Sequence, residues 1–275
     1  MNSTLGYIKN DTPIHRLSGT TKLMVFILLS IIVMTTFDTR YLFFIMLISL
    51  ITMKIAKIKW EDVSFLVKVV FVFSLINIIA IYIFEPEYGV KLYGSRNVIF
   101  EGIGRYSLTA EQLFYEFNVV LKYFSTIPLA LIFILTTDPS EFSSSLNRIG
   151  ISYKISYAVA LALRYIPDIQ NSYYEIRQAS QARGIEMSSK VGLIDRVKES
   201  ANIVMPLIFD SLGRIETIAQ AMELRRFGKN KTRTWYRAKD FSRNDFLVII
   251  GVIILLALGV SLFFVNDGRF YNPFL

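Results

Sequence analysis

Five uncharged apolar runs, at 23–37, 41–53, 69–84, 123–137 and 246–266, constrain this chain more than anything else in it. Hydrocarbon offers a backbone no hydrogen-bond partner, so such a run in a bilayer must be a helix that bonds to itself. Crossing takes about 20 residues, and only the last run reaches that length unaided. The others gain length if Lys22, Arg40, Lys54, Lys68 and Lys122 lay their stems along the core and keep their charged heads at the surface. The expected fold is an all-α integral membrane protein with about five transmembrane helices. Four lie in an N-terminal membrane region, 1–137, at about 23–37, 41–56, 63–84 and 117–137. The fifth opens a final segment, 246–275, which ends in a short tail. The second run is short enough to admit another path, dipping in and returning with the first as a hairpin. No small-residue cleavage site closes the first run at Phe37-Asp38, so it reads as a retained helix.

Charge orients the runs. The chain carries 30 Lys and Arg against 22 Asp and Glu, a formal +8. With the N-terminus in the cytoplasm, inside segments hold 23 of the 30 basic residues, 17 of them in the polar block 138–245. Outside segments hold only Arg40, Lys91, Arg96, Arg105 and Arg269. Flipping the topology would invert this positive-inside bias, so the N-terminus is expected inside and the C-terminus outside. The same distribution argues against nucleic acid, because the basic residues follow membrane sidedness and 12 acidic residues are interspersed through the block. The outside segment 85–116, rich in Tyr, Gly and Glu, reads as a structured surface loop.

The block 138–245 is expected to be a cytoplasmic coupling region built on a pair of long amphipathic helices. Residues 155–163 are apolar but too short to span, and Pro167 should kink the helix or restart it. A charged, aromatic helix then runs to Ala182 and stops at Gly184, a residue suited to a left-handed helix end. The next runs from Asp195 to Leu224 with a bend near Pro206. Val204, Ile208, Leu212, Ile215 and Met222 fall on one stripe of it at three- and four-residue spacing. That stripe either packs on the chain's own helices or receives a partner, and periodicity alone leaves both readings open. Each helix ends in a similar signature, Gln181-Ala182-Arg183-Gly184 and Ala221-Met222-Glu223-Leu224-Arg225-Arg226-Phe227-Gly228. An arginine at a helix C-terminus is ordinary, since the cation complements the helix dipole. Two such ends 42 positions apart in one block suit a grip on a two-lobed soluble partner, where a guanidinium can meet a carboxylate with two hydrogen bonds.

Chemistry of its own is hard to find. There are no cysteines, and the single His15 lies in a polar N-terminal stretch. No phosphate-binding loop, zinc-protease helix or nucleophile elbow occurs. Glu85, Glu87, Glu101 and Glu111 lie outside the runs, and no run contains a carboxylate, which disfavours ion-coupled secondary transport. A membrane-bound enzyme would need convergent carboxylates or histidines. A channel would need more in-span polar residues than Ser74 and Asn77.

At these residues the chain resembles the transmembrane T-component of energy-coupling factor (ECF) transporters, a family with relatives in cobalt and nickel uptake. The resemblance covers most of the chain. It is carried by His15-Arg16-Leu17 with Thr21-Lys22, by 135–139 followed by Leu146-Asn147-Arg148-Ile149-Gly150, by Leu163-Arg164-Tyr165-Ile166-Pro167 and by Ala182-Arg183-Gly184. The second signature departs from the family pattern, because Arg226 stands where the family has glycine. The helix end is therefore expected to shift toward Gly228, with Arg226 taking over part of the docking. The resemblance implies a non-catalytic, multi-pass scaffold in a bacterial cell membrane, with no cofactor in this chain. ATP and Mg would belong to two ABC-type ATPase subunits, which receive Ala182, Arg183, Gly184, Leu224, Arg225 and Arg226. Val204, Ile208, Leu212, Ile215 and Met222 would face a small membrane-embedded substrate-binding subunit, for a vitamin or a metal ion.

Overall fold

The computed structural model describes residues 6–102, 106–183, 193–230 and 234–274, with the backbone alone at 193–200 and 202. Ten helices and one small hairpin are found among them. The chain divides into two compact units: Gly6–Asp138 with Lys239–Leu275, and Pro139–Ala238.

The first unit is the membrane bundle. After a single turn, α1 (Pro13–Arg16), come α2 (Gly19–Thr35) and α3 (Thr39–Ile55), each of 17 residues and joined by a three-residue turn. The others are α4 (Trp60–Phe84), α6 (Ala110–Thr136) and α10 (Arg243–Val265), and these three are long and apolar enough to cross a membrane. Polar residues set the boundaries. Ser18 accepts from the Thr21 amide to start α2, and Asp38 accepts from the Arg40 and Tyr41 amides to start α3. Ser242 and Asp245 form a capping box at the start of α10. Asp245 also accepts from the Ser18 amide at 2.8 Å, so one buried carboxylate ties the N-termini of α2 and α10 together. These two helices therefore run parallel.

α6 runs the other way past α2. Lys22 Nζ donates to the Thr136 carbonyl at one end, and Lys122 Nζ donates to the Met34 carbonyl at the other. Against α3 it is fixed by Ser125 Oγ, which donates to the Leu42 carbonyl, and by Thr39, which donates to Asn118 Oδ1. Leu29, Ile32, Val33, Tyr41, Leu42, Ile45, Leu121, Leu129 and Val252 form the core between these four helices. α4 stands apart and touches α6, with Phe73 edge-on to Tyr123. Most of its apolar side chains are exposed, as are most of those of α10, which is what helices solvated by lipid look like.

α6 starts earlier than the hydrophobic run suggests, at Ala110, so Glu111 and Glu116 are buried inside a helix long enough to span. They serve the segment before them. That segment consists of α5 (Tyr88–Tyr93) and a hairpin of β1 (Val98–Phe100) and β2 (Leu108–Thr109). Glu111 accepts from the Ser95 hydroxyl and from the Asn97 backbone and side chain, while Gln112 accepts from the Gly89 amide. Gly89 has no room for a side chain, since a Cβ there would lie 2.5 Å from the Glu111 carbonyl.

The C-terminal tail closes this end of the bundle. The Phe37 amide donates to the Arg269 carbonyl at 2.7 Å, and the Phe37 and Phe270 rings stack at 4.6 Å. Asn266 and Arg40 both donate to Asp38, and the Arg40 guanidinium lies 4.1 Å above the Tyr271 ring. Burial alone would raise the Asp38 carboxyl. The hydrogen bonds from Arg40 and Asn266 outweigh it and hold the group below its ordinary range.

The second unit is three helices: α7 (Pro139–Arg148), α8 (Tyr153–Ala182) and α9 (Leu193–Leu224). α8 runs continuously past Pro167 and α9 past Pro206, so the apolar 155–163 stretch and the charged stretch after it belong to one helix.

Candidate coupling surface

Both signatures are on the second unit, and α8 and α9 pass each other antiparallel. Midway, Arg214 on α9 donates to Ser172 Oγ on α8 at 2.8 Å and pairs with Asp210 one turn back. Beyond it, the start of α8 meets the end of α9, where Tyr157 lies 4.6 Å from the Phe227 ring. The signatures are therefore at opposite ends of the pair. Arg183 lies eleven residues past Ser172, and Arg225 eleven residues past Arg214. At 1.5 Å per residue each arginine is about 16 Å along its helix from the shared bond. The two arginines thus lie at equal offsets in opposite directions from that bond.

The first end is plain. Ala182 closes α8 and Arg183 is its C-cap, its amide donating to the Ala179 and Ser180 carbonyls, with residues 181–183 exposed. Gly184 lies outside the described residues.

The second end corrects the expectation about Arg226. α9 stops at Leu224, and Arg226 itself takes the left-handed conformation at φ 54°. Its amide donates to the Glu223 carbonyl at 2.8 Å, and the Phe227 amide donates to Met222 at 2.9 Å. This is a Schellman ending with arginine in the position that favours glycine. The helix end does not move to Gly228, because Phe227 fixes it. Phe227 is held among Tyr153 and Tyr157 of α8, which also meet Trp235, whose indole donates to Asn147 of α7. Gly228, at φ 85°, turns the chain beside Lys154. Leu224, Arg225 and Arg226 are exposed, and Leu224 is 86% so.

The apolar stripe of α9 divides. Ile215 and Met222 line a cavity of about 440 Å³ against Leu161, Tyr165 and Ile169 of α8. Val204, Ile208 and Leu212 do not line it and are exposed, as Ile215 also is at 60%, with Met205 and Phe209 exposed beside them. Periodicity could not find Met205 and Phe209, since they widen the stripe into a face. Only the exposure of neighbouring turns reveals them. Among the described residues no group of three His, Cys, Asp or Glu could hold a metal ion.

Residues 10–236 match the CbiQ family, described as a cobalt transport protein. The chain belongs to the CbiQ family. It is also similar to proteins named energy-coupling factor transporter transmembrane protein EcfT. One from Streptococcus equi is 27% identical over 94% of each chain, and one from Bacillus subtilis is 26% identical over 92% of this chain and 94% of its own. A third, from Lactococcus lactis, is 26% identical over 92% of this chain and 94% of its own. The matched stretch takes in α2 through α9 and both signatures.

Proposed function

We propose that this chain is the transmembrane coupling component of an energy-coupling factor importer, and that its two arginine-bearing helix ends dock into two ABC-type ATPase subunits. The observation that carries the reading is the placement of Arg183 and Arg225 at equal offsets on either side of the Ser172–Arg214 bond. Two ATPase subunits related by a two-fold axis offer two similar grooves, and two helix ends at equal and opposite offsets can fill both at once. ATP and Mg bind in those subunits, and this chain is a non-catalytic scaffold. Closing of the ATPases moves the ends of α8 and α9, and the exposed face of Val204, Ile208 and Leu212 passes that motion to a small membrane-embedded substrate-binding subunit. Ile215, exposed like them, belongs to the same face, and Met222 continues it toward the end of α9. The cargo class is a micronutrient, a vitamin or a metal ion.

The distribution of charge on the bundle supports one sidedness. α2 and α10 begin, and α6 ends, at one end, which also carries Lys9, Arg16, Lys54, Lys57 and Lys59. That end is cytoplasmic, so the N-terminus is inside and the C-terminal tail outside, with five spans in a bacterial cell membrane. The 17 residues of α2 and of α3 reach about 25 Å each, which the flanking lysines extend.

The test is affinity capture from mild-detergent membranes, comparing wild type with Arg183→Ala/Arg225→Ala and measuring ATPase activity on the eluate. ATPase subunits are expected with wild type and at least tenfold depleted with the double variant. Full retention by the variant would refute the docking roles.

A further inference from the structure

The hairpin between α5 and α6 is built inside out. Its polar side chains turn inward: Ser107 and Thr109 are buried with Glu111 and Gln112, and Glu87 accepts from Arg96 and from the Ser107 hydroxyl. Together with the bonds that Glu111 accepts from Ser95 and Asn97, these contacts fix the hairpin on the start of α6. Its apolar side chains turn outward. All three residues of β1 are exposed, Ile99 by 60% and Phe100 by 68%, with Val98 beside them. A segment folded against water shows the opposite arrangement. Large apolar residues held out on a frame of buried polar ones call for an apolar neighbour.

The place of the strand decides what that neighbour is. Tyr106, two residues before β2, donates to the Ile83 carbonyl at 3.4 Å, and the Tyr82 hydroxyl donates to the Tyr106 carbonyl at 3.3 Å. These bonds fasten the hairpin to the last turn of α4, where Ile83 and Phe84 are exposed as well. The strand therefore extends the apolar surface of a helix long enough to span, at the level where that helix leaves the hydrocarbon. The Tyr82 and Tyr106 rings meet there at 6.2 Å, and tyrosine, with its apolar body and polar tip, favours that level of a bilayer. Successive side chains of a strand point to opposite faces, so Val98 and Phe100 lie on one side and Ile99 on the other. Apolar groups on both faces suit a fluid that wraps the strand better than a partner that covers one face. The backbone limits the depth. Among the described residues β1 pairs with β2 alone, and its other edge needs headgroups or water to bond to. Arg96 and Glu101 bracket the strand and keep it from sinking further.

We infer that β1 is a membrane-surface anchor: it lies in the lipid interface at the tail end of the bundle, with Ile99 and Phe100 reaching about 5–10 Å below the headgroups, and holds the end of α4 there. The anchor requires only that the bundle sit in a membrane, so it stands or falls separately from the ATPase-docking reading.

The chain has no cysteine, so single nitroxide labels can be placed without removing a native thiol. The full chain, labelled at Ile99→Cys or Phe100→Cys, is reconstituted at low density in phosphatidylcholine vesicles. Power saturation then compares relaxation by oxygen, which concentrates in lipid, with relaxation by a water-soluble nickel chelate. Labels at Ile76→Cys, exposed midway along α4, and at Tyr236→Cys, fully exposed on the polar block, supply the lipid and water references. Both hairpin labels should be relaxed by nickel about fivefold less than the Tyr236 label and by oxygen more, at a depth shallower than that of Ile76. Should either variant fail to accumulate, Val98→Cys takes its place. Nickel relaxation equal to that at Tyr236 would overturn the proposal by leaving the strand in water. Shielding from both reagents, or dipolar broadening between labels, would overturn it by placing a second copy of the chain on the strand.

Discussion

Arg226 occupies a backbone conformation that costs an L side chain about 1 kcal/mol or more. It is tolerated because the Phe227 anchor and the two Schellman bonds over-determine the turn. Arg226→Gly should therefore raise stability by about 0.5–1 kcal/mol, less than the full strain because glycine also loosens the unfolded chain. A melting curve checks the sign. Capture of the ATPase subunits by the same variant then separates the roles: retention leaves docking to Arg225, and loss assigns a share to Arg226. His15 is a second residue with a legible consequence. Its Nε2 lies 3.0 Å from the Ile8 carbonyl, which can only accept, so that nitrogen carries the proton and Nδ1 accepts from the Thr12 hydroxyl at 2.7 Å. Burial lowers its pKa below the usual 6.5, and Lys22 and Lys239 push the same way, against the Ile8 hydrogen bond. The folded state thus binds this proton less readily than the unfolded one. The contribution is fully present above about pH 6.5 and is lost as pH falls through the depressed folded value. Melting of wild type should drop between pH 7.5 and 5.5, and His15→Gln should flatten that part of the profile. In the sequence this histidine offered no partner, because Thr12 is a polar neighbour like any other until α1 folds.

At the scale of elements, each apolar run falls on one helix, because bilayer and core make the same demand on composition. The helix α6 begins well before its run. Its first two turns carry Glu111, Gln112 and Glu116, which look like loop residues until the hairpin and α5 supply their donors. One local signal was present, since Thr109 and Gln112 stand at capping-box spacing and the Gln112 amide does bond to the Thr109 hydroxyl at 3.3 Å. The two helix-ending signatures were legible as pattern, but their opposed placement was not, because sequence spacing says nothing about which way two helices pass. The α9 ending depends on a long-range aromatic contact in the same way. Phe227→Ala should cost about 1–3 kcal/mol and release the turn from Tyr153 and Tyr157. Hydrogen exchange should rise at 225–230 while the amides of α8 between Tyr165 and Ser172 stay protected. Equal exchange across both regions would mean that the aromatic cluster supports the whole pair and not the turn.

For the molecule as a whole, hydropathy and charge gave the membrane class, and the two-unit division follows where the hydrophobic segments give way to the polar block. The clasp made by the tail was not foreseeable. Tail residues Asn266 to Phe274 are a short polar and aromatic run, and their meaning comes only from meeting Asp38, Phe37 and Tyr93. Ending the chain after Asn266 should lower the melting temperature by several degrees, through lost stacking on Phe37 and lost covering of Tyr93. Far-ultraviolet circular dichroism should stay nearly unchanged, since the deleted residues lie beyond α10. The clasp also determines which movements remain open to the bundle. Backbone, aromatic and cation–ring contacts fasten the α2–α3 turn and the start of α3 to the tail, while the Asn272 side-chain amide donates to the carbonyl of Tyr93. The opposite end is held chiefly by the Asp245, Lys22 and Lys239 bonds. Helices latched at both ends cannot slide past one another without breaking buried hydrogen bonds, so the tail acts as the second strap around a bundle of staves.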